Sequence, residues 1–410
     1  MRDAPGISSG TVPVWLIVVS AATSAAVVMG LRQAMGFYVI PVTADLGVTR
    51  EAFGLSIAFA SIIWGLAAPV LGAISDHYGA RLVVPAGLLA TVCGLLTLQI
   101  AANDDLLLLS GVFLGLGLAG AGIGAAVGPV ARAVAPEDRA SAIAALGLGS
   151  AIGIVVMLPL THLLIFRLGW KGSLSVLAGV MLAALPLALL VKDRPEPAPS
   201  RNGEDFVTAL SQAFAHPSFW LINASFLICG FHVTFFGTYL PSFVADLGLP
   251  ASAAVMALVM VGLGNLVGTY AAGECARIMP TRAALRMVYL GRVLVFLGFV
   301  LLPITSTTII VLSGLLGFLW LSTVPLTSMQ VLNIYGTRWT TMLFGVVFFS
   351  HQVGAFLGSW LGGLIFDRFK SYDVMWWFSI GLALLAALLQ SPIAERPAED
   401  KPLDREPQGA

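Results

Sequence analysis

The sequence predicts an all-α membrane protein, with twelve transmembrane helices in two pseudo-symmetric six-helix bundles. Three observations lead to this fold class: the composition, the number of long apolar segments, and a repeat that relates the two halves of the chain. Of the 410 residues, 58% are hydrophobic and 10% are charged, against about 45–50% and 25% in soluble domains. This composition places most of the chain in lipid, where a helical span needs about 20 residues.

Short polar stretches divide the apolar sequence into twelve segments, which we number as spans one to twelve in chain order. The predicted ranges are 13–41, 51–73, 82–101, 106–130, 140–162, 170–191, 218–241, 252–274, 284–303, 309–333, 341–364 and 374–392. We expect no cleavable signal peptide, because the first apolar segment is too long and lacks a small-residue cleavage site.

One long polar interruption separates the spans into two sets of six. Its start, Lys-Asp-Arg-Pro-Glu-Pro-Ala-Pro-Ser, is typical of a flexible linker. The predicted domains are an N-terminal bundle at 1–191, a cytoplasmic linker at 192–217, a C-terminal bundle at 218–392 and a cytoplasmic tail at 393–410. The tail is short, charged and proline-containing, so we expect it to be disordered.

Three sequence landmarks recur in the same order in the second half, displaced by 200 to 201 residues. They are Pro41-Val-Thr-Ala-Asp45-Leu-Gly47 with Pro241-Ser-Phe-Val-Ala-Asp246-Leu-Gly248, Gly72-x3-Asp76-x2-Gly79-x-Arg81 with Gly273-x3-Arg277-x2-Pro280-x-Arg282, and Leu164-Ile-Phe166 with Leu364-Ile-Phe366. In a membrane protein, such a duplication predicts two related bundles with a substrate path between them.

The distribution of basic residues predicts the orientation. With both termini placed in the cytoplasm, fourteen Lys and Arg residues lie on the cytoplasmic side and five lie on the opposite side. This bias is the one that membrane insertion favours. We therefore expect a multi-pass protein of the cell (inner) membrane with both termini cytoplasmic.

The sequence also argues against several classes of function. The net charge of zero disfavours a nucleic-acid partner, and three widely spaced cysteines form neither a disulfide framework nor a metal site. No phosphate-binding loop of an ATP-driven pump is present. We found no nucleophile–base pair of an enzyme, and we expect a protein without metal or cofactor that acts as a monomer.

The landmark after span two resembles the signature loop of the major facilitator superfamily. The first copy, Gly72-Ala-Ile-Ser-Asp76-His-Tyr-Gly79-Ala-Arg81, has His77 where the family has a basic residue. The resemblance implies the major facilitator fold, and it implies a charge-assisted gating loop. The loop residues carried over are Gly72, Asp76, Gly79, Arg81, Gly273, Arg277 and Arg282.

Within that superfamily, the chain is most similar to bacterial relatives of the monocarboxylate transporters and the oxalate–formate antiporter. The segments that carry this similarity are Gly30–Phe37, Gly169–Lys171, Trp320–Pro325 and Ser350–Gly358. Span eight departs from the pattern, since Asn265 and Thr269 stand where monocarboxylate transporters have an aspartate and an arginine. The resemblance therefore supplies neither the usual anion-binding arginine nor its acidic partner.

Arg32 is the strongest candidate to bind a substrate anion. At 1.5 Å per residue it lies about 12 Å from the end of span one, close to the bilayer midplane. An arginine at this depth costs roughly 2.5–3.5 kcal/mol, so it needs a cavity or a partner. No Asp or Glu is predicted deep in any span; the alternative is a structural arginine held by backbone carbonyls. Arg292, two turns from the cytoplasmic end of span nine, is expected to extend towards that end.

Other polar side chains predicted inside spans complete the candidate site. His232 and His351 are candidates for both substrate binding and proton coupling, because histidine changes charge near neutral pH. The neutral candidates for substrate binding are Tyr38, Tyr239, Asn265, Gln330 and Gln352. Hydrogen bonds between helices would satisfy each of these side chains equally well.

Together these features predict a secondary active transporter that moves a small organic anion, similar to a monocarboxylate, by alternating access, with protons as a candidate coupling ion. One alternative is an exporter of drugs, toxic anions or another small solute. A second alternative, from another class, is a membrane nutrient sensor that transports nothing.

Overall fold

The computed structural model describes residues 13–135, 138–191, 203–336 and 340–393. Within these ranges the chain forms helices joined by short turns, and it contains no strand. Ten helices are long and apolar enough to cross a membrane. One of them, Arg139–Ala188, contains two spans, because Gly169 leaves the helical conformation with φ 70° and ψ 172°. The apolar helix Asp373–Leu389 completes the twelve spans.

The predicted fold class is therefore confirmed, and each predicted span ends within about six residues of the observed helix. The observed spans are Val14–Leu46, Arg50–Tyr78, Ala80–Gln99, Asp104–Ala133, 139–168, 170–188, Pro217–Asp246, Ala251–Ile278, Thr281–Leu301, Ser306–Tyr335, Thr340–Phe369 and Asp373–Leu389.

Three spans are interrupted within their length. Span one passes through a 3-10 turn, Met35–Tyr38, while span four breaks at Gly122 and span ten breaks after Trp320. Gly122 and Thr323 are 201 residues apart, so the breaks in spans four and ten are equivalent under the sequence repeat. Such breaks free backbone groups, which must then find partners in the protein or in a cavity.

Packing within the two bundles follows the same repeat. In the first bundle, span one packs on span five, span two on span four, and span three on spans four and six. The equivalent pairs in the second bundle are seven with eleven, eight with ten, and nine with twelve. Between the bundles, span two packs on span eleven, span five on span eight, and span one on span seven. The core thus consists of two related bundles joined along four long spans and the pair formed by spans one and seven.

The bundles meet most closely at one end of the molecule, which we call the Arg50 end. There Arg50, at the start of span two, donates two hydrogen bonds of 2.6 and 2.8 Å to the carboxylate of Asp246 on span seven. It also donates a hydrogen bond to the hydroxyl of Tyr372 at 2.8 Å, and its guanidinium lies 3.6 Å from the centre of the Phe366 ring. These contacts hold the first residue of span two against spans seven and eleven and against the residue that precedes span twelve.

The amino terminus of span two is also capped by the other bundle. The carboxylate of Asp367, near the end of span eleven, accepts hydrogen bonds from the backbone amides of Arg50 at 3.4 Å and Glu51 at 2.7 Å. The carboxylate of Glu51 in turn accepts a 3.0 Å hydrogen bond from the indole of Trp360. Free amides at a helix start attract negative charge, so this cap strengthens the contact between the bundles.

The opposite end of the molecule, which we call the linker end, is more open. On span two, Leu66 and Val70, which follow Gly65, are 54% and 58% exposed. A Cβ placed on Gly72 or on Gly345 of span eleven would meet no atom within 4 Å. The interface is therefore closed at the Arg50 end and splayed towards the linker end.

The start of the predicted linker and the tail after Ile393 lie outside the described residues. The part of the linker that the structure describes contains the helix Gly203–Ala215. This helix ends beside span seven, where the Trp220 indole donates a 2.8 Å hydrogen bond to the carbonyl of Phe214.

Candidate functional site

Arg32 lies in the last turn of the first helical segment of span one, just before the 3-10 turn. Its Nη2 makes a long hydrogen bond of 3.5 Å to the hydroxyl of Thr234 on span seven. The guanidinium also lies 5.4 Å from the centre of the Trp64 ring on span two. Among the described residues, no carboxylate forms a salt bridge with Arg32. Its charge is therefore balanced by no acidic partner within the described part of the protein.

A row of rings leads from Arg32 across the interface to His351. The Trp64 indole meets Phe348 of span eleven edge to face at 5.4 Å, and the Phe348 ring lies parallel to His351 at 5.9 Å. His351 also packs against Phe226 of span seven at 4.8 Å. His351 is 8% exposed, and its Nδ1 has no hydrogen-bond partner. The structure thus connects two predicted site residues, one from each bundle, through aromatic side chains.

Two buried amides at the interface between the bundles also lack partners. Gln352 is fully buried, neither its Oε1 nor its Nε2 is hydrogen-bonded, and its Cβ lies against Gly65 of span two. The Nε2 of Gln33 is likewise unpaired, and it lies near Gly237 of span seven. An unpaired buried amide destabilises a protein by roughly 1–3 kcal/mol, which favours a partner that arrives with a ligand or with water.

Four other predicted residues already have hydrogen-bond partners in the protein. The Tyr38 hydroxyl bonds to Ser173 at 2.6 Å, and Tyr239 donates to the Ser359 carbonyl at 2.5 Å. Asn265 accepts from the Leu321 amide at 3.2 Å, and Gln330 donates to Gln390 at 3.0 Å. These contacts correspond to the alternative in which such side chains join helices, and their role in substrate binding stays a prediction.

His232 lies in the core of the second bundle rather than in the row of rings. It is 2% exposed, its Nε2 is 3.0 Å from the Ser379 carbonyl of span twelve, and its ring packs against Phe296 at 4.9 Å. Its Nδ1 is unpaired. The structure therefore separates the two histidines by environment, and only His351 belongs to the row that leads to Arg32.

The expectation that Arg292 extends towards the cytoplasmic end is wrong. Arg292 is 1% exposed, and its Nη2 donates to the carbonyls of Leu319 at 2.8 Å and Trp320 at 3.0 Å. The break in span ten leaves these carbonyls without helical donors, and a cation at the end of a helical segment also complements its dipole. The guanidinium is thus bound at the break instead of in solvent.

The predicted gating loop lies at the linker end, where the bundles are splayed. Gly79 adopts a positive φ of 88° between spans two and three. In the second copy, Arg277 pairs with Glu274 of its own helix at 3.6 Å, and Arg282 donates to the Ile393 carbonyl at 3.0 Å. The side chain of Asp76 lies outside the part that the structure describes, so the predicted latch stays a prediction.

The Major Facilitator Superfamily model matches residues 16–359. The chain belongs to this superfamily. It is therefore a membrane transporter by family, and not an enzyme. Its superfamily relatives include the uncharacterized MFS-type transporter YcxA of Bacillus subtilis (strain 168), which is 22% identical over 377 residues, or 87% of this chain and 90% of YcxA.

Relatives with more specific names also align over most of the chain. Monocarboxylate transporter 13 of Rattus norvegicus is 25% identical over 373 residues, covering 87% of this chain and 83% of that protein. A probable 4-methylmuconolactone transporter of Cupriavidus pinatubonensis is 23% identical over 338 residues, covering 80% and 77%. The superfamily resemblance drawn from the signature loop is thus confirmed.

The superfamily fold is also found in solved structures. A bacterial homolog of the human lysosomal transporter Spinster, in an inward-facing and unoccupied conformation, superposes with a TM-score of 0.69. The alignment covers 93% of this chain and 94% of that structure, at 14% sequence identity. At this identity the likeness shows a shared fold.

Four residues of the site were not found from the sequence: Gln33, Trp64, Thr234 and Phe348. Gln33 directly follows Arg32, so a polar pair within an apolar span was an available signal. Trp64, Thr234 and Phe348 carried no such signal, because aromatic and threonine side chains are common in membrane helices. Their importance depends on which face of each helix meets the other bundle.

Proposed function

We propose that this superfamily member carries a small organic anion across the membrane by alternating access, and that Arg32 binds the anion. The observation that carries the proposal is a half-buried arginine between the two bundles without a carboxylate partner among the described residues. The monocarboxylate transporters among its relatives support the same class of substrate.

The electrostatic argument begins with the cost of the charge. Placing an arginine at the centre of a membrane costs roughly 2.5–3.5 kcal/mol on insertion scales. One long hydrogen bond to Thr234 and the face of the Trp64 ring offset part of this cost. A carboxylate substrate supplies the missing countercharge, and the planar guanidinium can donate two parallel hydrogen bonds to it.

The position of Arg32 between the bundles supports alternating access. The interface is closed at the Arg50 end and splayed towards the linker end, which we assign to the cytoplasm on the distribution of basic residues. Rocking of one bundle against the other would expose Arg32 to the two sides in turn. The substrate needs to change the balance between these states by only a few kcal/mol.

Proton coupling is assigned to His351. Its unpaired Nδ1 belongs to the ring that ends the row beginning at Arg32. Histidine exchanges protons near neutral pH, so a proton bound there would cross the membrane together with the anion bound at Arg32. His232 stays a second candidate, since its Nδ1 is also unpaired.

An exporter of another small solute is the second candidate function. It is favoured by span eight, where Asn265 and Thr269 are neutral and offer no second charge to an anion. The relative named as a probable 4-methylmuconolactone transporter also widens the range of solutes to be tested. A sensor that transports nothing is distinguished from both by the absence of flux for every solute.

The test is uptake and counterflow in proteoliposomes with radiolabelled monocarboxylates, dicarboxylates and neutral solutes. We expect Arg32→Gln to lose at least 90% of anion counterflow, while Arg32→Lys retains part of it. Arg286→Gln serves as the matched control, because Arg286 is an exposed arginine of span nine. His351→Ala should retain counterflow but lose the acceleration of uptake by an inward proton gradient.

Three results would each contradict a part of the proposal. Anion transport with unchanged affinity in Arg32→Gln would remove Arg32 from the binding site. Transport of neutral solutes alone, by the wild-type protein and Arg32→Gln alike, would favour the exporter of another solute. If His351→Ala loses counterflow to the same extent as proton-driven uptake, His351 takes part in substrate binding and not in proton coupling.

A further inference from the structure

The breaks in spans four and ten are equivalent under the repeat, but among the described residues side chains hold only the break in span ten. There Arg292 of span nine donates to the carbonyls of Leu319 at 2.8 Å and Trp320 at 3.0 Å. Asn265 of span eight accepts a 3.2 Å hydrogen bond from the backbone amide of Leu321. Two neighbouring spans thus bind the break in span ten.

Two hydroxyl groups of span ten itself add to these contacts. Ser322 donates to the carbonyl of Phe318, and Thr323 donates to the carbonyl of Trp320 at 2.9 Å. Backbone groups that a break frees inside a membrane need such partners. Because side chains of spans eight, nine and ten supply them, the two parts of span ten are joined rigidly.

Span four lacks these side chains at the equivalent positions. The residues 201 positions before Asn265, Arg292, Ser322 and Thr323 are, in that order, Trp64, Thr91, Ala121 and Gly122. The hydroxyl of Thr91 donates to the carbonyl of Gly87 in its own helix at 3.0 Å. Within the described part of the chain, no side chain donates a hydrogen bond to the carbonyls of residues 119–121, which end the first part of span four. The break at Gly122 is therefore not fixed as the break in span ten is.

The surroundings of Gly122 also permit a change of angle. Gly122 has φ −72° and ψ 176°, and glycine reaches other backbone conformations at little steric cost. The side chain nearest to a Cβ built on Gly122 is Met29 of span one, whose methyl group would lie at 2.7 Å and can adapt by changing rotamer. The segment that follows, Ile123–Ala133, lies at the splayed linker end, where a Cβ on Gly124 would meet no atom within 4 Å.

We propose that span four bends at Gly122 during the transport cycle and that the segment Ile123–Ala133 moves to close the linker end, while span ten moves as one rigid helix. The proposal rests on the alternating access of the proposed function and requires no particular substrate. Ala131 lies about 14 Å beyond Gly122 at 1.5 Å per residue. A bend of about 20°, the size of a sharp kink, therefore moves Ala131 by about 5 Å.

The first experiment compares equivalent pairs of spin labels in the two bundles. After serine replaces the three native cysteines, one pair is Leu82→Cys with Ala131→Cys, and the other, displaced by 201 residues, is Ala283→Cys with Leu332→Cys. Electron paramagnetic resonance measures both distances with and without Asp246→Asn, which removes a contact that closes the Arg50 end. We expect the first distance to change by about 5 Å and the second by less than about 2 Å.

The second experiment releases the break in span ten. Arg292→Met removes the donor to two carbonyls, and the double variant Ser322→Ala with Thr323→Ala removes both hydroxyl contacts if Arg292→Met does not fold. Ser313→Ala is the matched control, because Ser313 is a fully buried serine of the same span whose hydroxyl has no partner. In the Asp246→Asn background, the releasing variants should increase the change in the second distance to about 5 Å, and the control should leave it below about 2 Å.

The outcomes separate the hinge from the proposed function. Equal changes in the two distances without a releasing variant would refute the hinge, since each segment would then move with its whole bundle. A first distance that stays constant would also refute it if Asp246→Asn increases maleimide labelling of Phe59→Cys at the interface, and alternating access would then stand. If neither the labelling rate nor a distance changes, the hinge and alternating access are both contradicted.

Discussion

The contact between Arg50 and Asp246 should control how often the interface opens at the Arg50 end. The perturbation is Asp246→Asn, which removes the carboxylate and keeps the size of the side chain. We expect this variant to populate the state that is open at the Arg50 end more than the wild-type protein does. The reason is that the contact joins span two to span seven, and therefore exists only while the bundles are closed at that end.

The expected magnitude follows from the geometry. Two hydrogen bonds of 2.6 and 2.8 Å join side chains that are 13% and 32% exposed. Fully exposed ion pairs contribute about 0.2–1 kcal/mol, whereas removing one partner of a buried pair costs about 2–5 kcal/mol. For this half-buried pair we expect about 1.4 kcal/mol, which is a tenfold change in the ratio of closed to open states.

The assay measures access to the interface from the Arg50 end. After serine replaces the three native cysteines, cysteine is introduced by Phe59→Cys, a position that packs across the interface against Phe356 at 6.0 Å. The labelling rate with a membrane-impermeant maleimide then reports the open population. Asp45→Asn is the matched control, because Asp45 occupies the same place in the repeat but binds Lys171 of its own bundle at 3.0 Å.

We expect labelling to be about tenfold faster in Asp246→Asn and unchanged in Asp45→Asn. Labelling within twofold of the wild-type rate in Asp246→Asn would refute the reasoning. An equal increase in both variants would also refute it, since the effect would then come from a general loss of charge at the Arg50 end.

The remaining predictions concern buried polar groups and close helix packing. Gln352→Ala should raise the KM for transport at least fivefold and lower the melting temperature by less than about 2 °C, because its amide has no partner in the protein. Gln330→Ala should lower the melting temperature by about 2–4 °C, the shift for a loss of about 1 kcal/mol, because its amide is hydrogen-bonded to Gln390, directly after span twelve. A Cβ at Gly354 would overlap the Leu227 carbonyl, whereas Gly345 is at an open position of the same span. Gly354→Ala should therefore destabilise the protein more than Gly345→Ala. Equal melting temperatures of the two variants in a thermal scan would contradict this.

The spans and the duplication could be predicted from the sequence because the bilayer imposes a strict requirement. Every crossing segment must be apolar over about 20 residues, and this leaves a clear pattern in a chain that is 58% hydrophobic. The position of Arg32 inside a helical span was also predictable, because apolar residues flank it on both sides. Position along a span is therefore well encoded by sequence.

Orientation around each helix axis is less well encoded. The sequence predicted the same candidate roles for His232 and His351, yet one packs beside span twelve and the other lies at the interface between the bundles. In lipid, both the inner and the outer face of a helix are apolar, so hydrophobic periodicity gives little information about rotation. The contact of Arg32 with Thr234 and Trp64 could not be predicted for the same reason.

Arg292 illustrates a second limit. Counting turns placed it two turns from the end of span nine, which suggested a route to solvent. The break in span ten leaves the carbonyls of Leu319 and Trp320 available inside the second bundle, and these bind the guanidinium instead. The sequence of span nine does not predict an interruption in the neighbouring span ten.

The cap on span two has a consequence for the helix itself. Because Asp367 belongs to the second bundle, separation at the Arg50 end removes an acceptor from the first two amides of span two. The helix would then begin one turn later, or its first amides would form hydrogen bonds with solvent. Local fraying of span two is thus coupled to the movement of whole bundles. The rate of deuterium uptake by the amides of Arg50 and Glu51 therefore reports how often that end opens.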